Sequence, residues 1–338
     1  MLELDKLFLT QQSGRVVSLH SGVEDAFRPF AFVPNVTGLS GASTIEIAPG
    51  HKLRRANARE IKFVNKTISD VFGKHFGKGL WEERKPKSGH GAFVRLPANQ
   101  WRYFVIELPA GAGKLDLLDQ ALGIAPKNLE IGLAKFRTRL EGAVLPTCVY
   151  RPSSLFQSLS ALHDAVHSKS GFLNVISKSD GNQISDVYKG LQAHAHSVQD
   201  LQRPLELLRE LRDLPHFSPL QILGYFAILE SLLTHQPNPD DRYDSITRQI
   251  TNKLALLNAR WQTKLDYSAF GGAPHKKIWS EMYAYRSAIA HGGSSNSASQ
   301  SSVLKTAENA NVLIRESVKQ TLRQALIEPQ LLADLHNC

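Results

Sequence analysis

The chain has 338 residues, 42% of them hydrophobic, with a formal net charge of +9 and two cysteines. That much apolar material argues against disorder, and the length suits two or three domains. No run of about 18 uncharged apolar residues occurs, which excludes a membrane-spanning helix. Cys148 and Cys338 lie far apart with no metal-ligand spacing, which argues for a reducing cytosol and against a disulfide framework or a cysteine zinc site. The opening Met1-Leu2-Glu3-Leu4-Asp5 carries acids where a secretory signal carries bases, so the expected location is cytoplasmic.

Residues 1–147 read as a mixed α/β domain, expected to recognise or sense something. Thr44-Ile45-Glu46-Ile47 alternates as a half-buried strand does. A helix is expected from about Lys52 to Val71, because Leu53, Asn57, Ile61, Val64, Ile68 and Phe72 keep helical spacing with only Asn57 breaking the apolar stripe. Gly73, Gly77 and Gly79 end it, and a polar loop rich in Lys, Pro and Gly runs to about Gly91. Residues 51–90 hold eleven bases and four acids, a local excess of +7. Such an excess attracts a polyanion, of which a nucleic-acid phosphate backbone is the commonest, and makes Arg54, Arg55 and Arg59 candidate phosphate contacts. A solvated helix face beside a basic loop would carry the same charge. Trp101 to Leu108 is aromatic and β-branched, a strand that Pro109 stops.

From about Pro152 the periodicity becomes helical and stays so. Helices are expected near 114–123, 153–169, 184–212, 217–235, 243–262, 274–290 and 302–326, with a short one at the C-terminus. Pro204 is expected to kink or divide the 184–212 helix. Residues 148–215 read as a helical connecting region and 216–338 as a helical bundle, so the fold class is α+β. The helix at 217–235 has almost no polar face: Leu220, Ile222, Leu223, Phe226, Ile228, Leu229, Leu232 and Leu233 fill it. It belongs inside a bundle or at a subunit interface, and its one formal charge, Glu230, needs a partner there.

The segment with the clearest chemistry is Tyr283-Ala284-Tyr285-Arg286-Ser287-Ala288-Ile289-Ala290-His291-Gly292-Gly293. Arg286 and His291 stand roughly 140° apart on an ideal helix. Gly292 and Gly293 stop the helix, which puts His291 at or just past its last turn, free to swing back toward Arg286. Carbonyls at a helix C-terminus favour an imidazolium, and an imidazole can act as base and then as acid. RNA carries its own nucleophile, the 2′-hydroxyl. A proton-transfer group beside an arginine that stabilises the anionic phosphorane can therefore cleave the strand without a metal, and no cofactor is called for.

At these residues the sequence resembles the HEPN superfamily, in particular its ApeA-like branch. The resemblance covers roughly 217–326: Phe226 to Leu233 on one helix, Ile246 to Ile250 on the next, and Tyr285-Arg286-Ser287 to His291-Gly292 on the third, followed by a fourth amphipathic helix. The family's arginine and histidine map onto Arg286 and His291. Members are four-helix bundles, usually homodimers whose two motifs face one another in a shared cleft. Many are metal-independent endoribonucleases of toxin or anti-phage systems, and others are non-catalytic RNA-binding or dimerisation scaffolds. The resemblance implies RNA as partner, transfer RNA among the candidates, a homodimer or higher homo-oligomer, and an inhibitory or triggering partner. Ser287 departs from the Asn, Asp or His that many catalytic members carry after the arginine, though its hydroxyl still donates and accepts. Glu230, Ser287 and Tyr285 are the expected supporting residues, and Arg248, Lys253, Lys276 and Lys277 further candidates for gripping phosphates. The plainer reading pairs Arg286 with Glu230 and leaves His291 as a helix cap.

Other patterns carry less. Ala110-Gly111-Ala112-Gly113-Lys114-Leu115 lacks the first glycine of a phosphate loop, with Leu108 in its place, and the hydroxyl residue after the lysine. His163 and His167 stand one helical turn apart without an evident third ligand, and His194 and His196 diverge, so no metal site is expected. Trp81, Trp101, Tyr103 and Phe104 are read as core in preference to a base-stacking platform. Residues 292–302 are rich in Gly, Ser and Asn and read as a flexible loop.

Overall fold

The computed structural model of the chain describes residues 15–18, 28–73, 84–86, 93–95, 97, 101–109, 115–140, 143–150, 174–194, 199–215, 218–237, 245–292, 301 and 303–338. The chain divides into two compact units, Met1–Gly123 with Lys127–Lys189 and Ile124–Pro126 with Gly190–Cys338. The first is built on sheet and the second on helices, so the fold is α+β.

The sheet of the first unit has seven strands in the order β1 (Arg15–Ser18), β10 (Ala143–Tyr150), β9 (Leu133–Leu140), β2 (Phe30–Phe32), β8 (Phe104–Glu107), β5 (His51–Arg55), β4 (Thr44–Ala48). Every neighbouring pair in it is antiparallel. Side chains alternate across a strand, so Phe30 and Phe32 project to one face and join Val105 and Leu133 there. The helix α1 (Ala58–Phe72) closes that face with Ile61, Val64 and Ile68, spaced to lie on one stripe. On the strands, Leu53 pairs with both Ile45 and Ile106, and all three are buried. The helix α3 (Lys178–His194) approaches β4 through Gly181, where an added Cβ would sit 2.4 Å from Ile45 Cγ2 and 3.0 Å from the Glu46 carbonyl oxygen. Two short pairings complete the unit: β3 (Val36–Ser40) with β11 (Asn174–Ser177), parallel, and β6 (Arg84–Pro86) with β7 (Phe93–Arg95), antiparallel. Buried Asn35 and Asn174 tie β3 to β11 by both donating to the Asn128 carbonyl, and Asn35 Oδ1 accepts from the Glu130 N–H.

Three expectations need correction here. The helix read from Lys52 is a strand, His51–Arg55, followed by a helix from Ala58. Asn57, the residue that broke the apolar stripe, caps that helix: its side chain accepts from the Glu60 N–H while Glu60 accepts from the Asn57 N–H. The polar loop to Gly91 contains a strand, β6. The single helix at 184–212 is two, α3 and α4 (Gln199–Arg212), and Pro204 lies inside α4, where it removes one backbone donor near the helix start. A short helix α2 (Leu115–Ile124) stands where one was expected at 114–123. The expected helix at 153–169, with His163 and His167, lies outside the described residues, as do the glycines of 110–114, Trp81, His196 and most of 292–302.

In the helical unit, α5 (Pro219–Leu233) touches α4, α6 (Ile246–Arg260), α7 (His275–Ala290), α8 (Ala307–Ile327) and α9 (Pro329–Asn337). This explains why it has so little polar surface: a helix surrounded by helices buries apolar residues in most directions. Ile222, Tyr225, Phe226, Ile228, Leu229, Leu232 and Leu233 are all buried. Gly224 admits α4, since a Cβ there would meet Leu211 Cδ2 at 2.2 Å. Ser218, Ser245 and Thr306 each cap the following helix with a side-chain oxygen, satisfying one orphan N–H apiece.

The start of α7 is fixed by a relay of hydrogen bonds. His275 Nε2 lies 2.9 Å from the Thr251 carbonyl, which can only accept, so Nε2 carries the proton and Nδ1 accepts from the Tyr267 hydroxyl at 2.6 Å. Trp279 Nε1 donates in turn to the Tyr267 oxygen at 3.3 Å. Burial holds His275 below the usual imidazole range. The stability of this neutral histidine is present above its unfolded-state pKa and lost as pH falls through the lower folded one. Tyr267→Phe leaves Nδ1 and Trp279 Nε1 without their partner, an expected loss of about 1 kcal/mol. Urea denaturation reads it, and an unchanged midpoint would show that the hydroxyl contributes nothing.

Candidate active site

Arg286 occupies the last full turn of α7, and Glu230 the last turn of α5. Phe226 packs edge-on against Trp279 at 6.4 Å and Tyr283 at 5.8 Å between ring centroids. One turn further along α5, Glu230 meets Arg286, so these two helices advance side by side in the same direction. Arg286 Nη2 lies 3.4 Å from each Glu230 carboxylate oxygen. Its guanidinium carbon stands over the Tyr283 ring, 5.5 Å from the centroid, a cation–π contact. Arg286 Nε and Glu230 Oε1 are both buried and take part in no hydrogen bond. Burial raises the Glu230 carboxyl above the usual glutamate range, and Arg286 opposes that shift.

His291 is the C-cap of α7 and is exposed; its N–H donates to the Ser287 carbonyl at 3.1 Å. Gly292 follows with φ +78°, the left-handed turn that ends the helix and that glycine adopts without a Cβ penalty. Ser287 is half-buried between the two, and Tyr285 is buried, its hydroxyl raised in pKa by desolvation. The fold thus brings Arg286 and Glu230 into contact and sets His291 just beyond them at the helix end. Tyr283 was not singled out in the sequence; an aromatic residue three before a helical arginine is the signal that could have found it.

The expected phosphate contacts fare differently. Lys276 and Lys277 are exposed in the first turn of α7, roughly 14 Å of helix rise from Arg286. Arg248 is exposed on α6. Lys253 is a correction: it is buried, and its ammonium donates to the Leu233 carbonyl at 2.8 Å and the Cys338 carbonyl at 3.0 Å, so it cannot grip a phosphate. Three more belong to the sheet unit. Arg54 is also a correction, being committed to Glu60 at 2.8 and 2.9 Å and to Glu107 at 3.2 Å. Arg55 donates to the Trp101 carbonyl at 2.6 Å and lies over the Phe104 ring, while Arg59 is exposed on α1.

Among the described residues, no group of three or more His, Cys, Asp or Glu could hold a metal ion, and no helix is long and apolar enough to cross a membrane. No family model, characterised protein or solved structure matches this chain.

Proposed function

We propose that this chain is a metal-independent endoribonuclease of HEPN type, with Arg286 and His291 as its catalytic pair. The observation that supports this best is the placement of Arg286: half-buried on a tyrosine face, beside a carboxylate, with a hydrogen-bonding nitrogen uncommitted, one turn before an exposed histidine at a glycine-ended helix terminus. A guanidinium held in partly dry surroundings stabilises a phosphorane far better than one in bulk water. The exposed imidazole is reachable by a strand laid across the helix end. Attack by the 2′-hydroxyl on the adjacent phosphorus leaves a 2′,3′-cyclic phosphate and a free 5′-hydroxyl. In this reading two copies of the helical unit pair, their motifs share one cleft, and the protein acts in the cytoplasm in a defence or toxin-like role, restrained until triggered by a partner.

The test is cleavage of total transfer RNA and of a generic single-stranded RNA by the purified protein in EDTA. Cleavage that survives chelation and yields cyclic-phosphate ends is expected. A protein that binds these RNAs and never cuts them would instead support the scaffold reading, which the Glu230–Arg286 ion pair also accommodates because it gives the arginine a partner within the fold.

A further inference from the structure

We infer that Glu230 is the proton acceptor of this site, taking the proton of the attacking 2′-hydroxyl while His291 protonates the departing 5′-oxygen. This rests on the ribonuclease reading above.

Strand cleavage by the 2′-hydroxyl needs two proton transfers, one from the nucleophile and one to the leaving group. Two groups that hold opposite protonation states at one pH divide this work better than one group in two roles. Glu230 is the only charged residue on α5, placed where the helix is otherwise enclosed by apolar packing. Its contact with Arg286 is not built as a structural clamp. The chain shows what such a clamp looks like at Arg54, where two guanidinium nitrogens meet the two Glu60 oxygens at 2.8 and 2.9 Å and Glu60 also accepts the Asn57 N–H at 2.8 Å. At Glu230 a single nitrogen reaches both oxygens at 3.4 Å, and Oε1 accepts no hydrogen bond although it is buried. Oε1 is closed off beside Arg286 in the free chain, and a phosphate that draws the guanidinium toward itself would open this acceptor to the 2′-hydroxyl proton. Long contacts in a free enzyme that tighten on substrate are ordinary at catalytic sites.

The surroundings make this carboxylate a stronger base than an exposed glutamate. Burial lifts the carboxyl above its usual range, and Arg286 keeps the ionised form available. Arg286 faces Glu230 from α7, with the Tyr283 ring against its guanidinium. Three charged groups on helices packed against α5 have partners other than Glu230: Lys253 of α6 donates to the Leu233 and Cys338 carbonyls, Lys319 of α8 to the Pro126 carbonyl, and Arg203 of α4 lies 3.9 Å from Glu206. In the step itself the 2′-oxygen bonds to phosphorus as its proton passes to Glu230. The phosphorus–5′-oxygen bond then breaks as His291 gives that oxygen a proton. Arg286 carries the added charge between.

The experiment is the pH dependence of kcat/KM for a single-stranded oligoribonucleotide with wild type, Glu230→Gln and Glu230→Asp, with thermal unfolding of each as the folding control. Glu230→Gln is expected to lose about 100-fold or more at neutral pH and to show no rise in rate on the acidic side. Glu230→Asp is expected to retain that rise from a lower maximum, which keeps the test decisive if the glutamine variant does not fold. A Glu230→Gln enzyme that is slower but still shows the acidic rise would make Glu230 a positioning residue and overturn the assignment. Wild type that cuts no RNA would overturn the ribonuclease reading and this assignment together, whereas cleaving wild type with a fully active Glu230→Gln overturns this assignment alone.

Discussion

Arg286→Ala is expected to reduce RNA cleavage by about 10³-fold or more, and Arg286→Lys to recover little of it. The guanidinium is planar and fixed on one side by the Tyr283 ring, so its free donors point in set directions. A lysine ammonium on a flexible stem offers neither the fork nor the stacked plane. It would sit closer to Glu230 as a point charge and leave the phosphorane with weaker, less directed donors. The alanine variant has a second consequence: Glu230 loses the one cation that opposes its desolvation and takes up a proton more readily. Arg286→Lys avoids this, because it keeps a positive charge beside the carboxyl. His291→Ala is expected to lose about 10²-fold or more with little change in stability, since the side chain is exposed at the helix end. Combining the two should cost much less than the product of the single effects, because each group works only when the other is in place. Initial rates with matched unfolding midpoints check all three. Cleavage by Arg286→Ala or His291→Ala at the wild-type rate would remove that residue from the mechanism.

Part of this molecule was legible in its sequence. The apolar run of α5 could belong only to an enclosed helix, and the glycine after His291 marked the end of α7. The strand His51–Arg55 was not legible, because Leu53 falls four residues before Asn57 and eight before Ile61 and so fits a helical stripe as well as it fits a strand; only pairing with β4 and β8 decides it. Strands of three residues, such as Phe30–Phe32, are too short to show a period at all. Lys253 was misread as a surface base, yet its position between Ile250 and Leu254, on the buried face of α6, was the available sign that its ammonium turns inward. The long contacts between Glu230 and Arg286 follow from how two helices meet, which no local pattern encodes.

Lys319→Met is expected to make the protein more stable at neutral pH by about 1–3 kcal/mol. Lys319 is fully enclosed in α8, where its ammonium lies 3.2 Å from the Pro126 carbonyl and 3.7 Å from Glu316. Burial, with Arg323, Arg315 and Arg212 crowding the same place and Glu316 opposing them, brings it down to about 8. Arg315 and Arg323 stand one turn to either side of it on α8, so three cations share one stripe. The sign follows from the protons bound. Between about pH 8 and the ordinary lysine value the unfolded chain keeps the Lys319 proton and the folded one has released it, so stability rises with pH across that window and the deficit is full below it. Methionine matches the length of the stem, fills the same space and removes one of the crowded charges, at the loss of the hydrogen bond to Pro126. Urea denaturation of both proteins at pH 7 and at pH 10 separates the possibilities. Wild type should gain stability relative to Lys319→Met between the two, so that their difference shrinks on the alkaline side. A methionine variant less stable than wild type at pH 7 would show that the Pro126 and Glu316 contacts outweigh the cost of burying the charge.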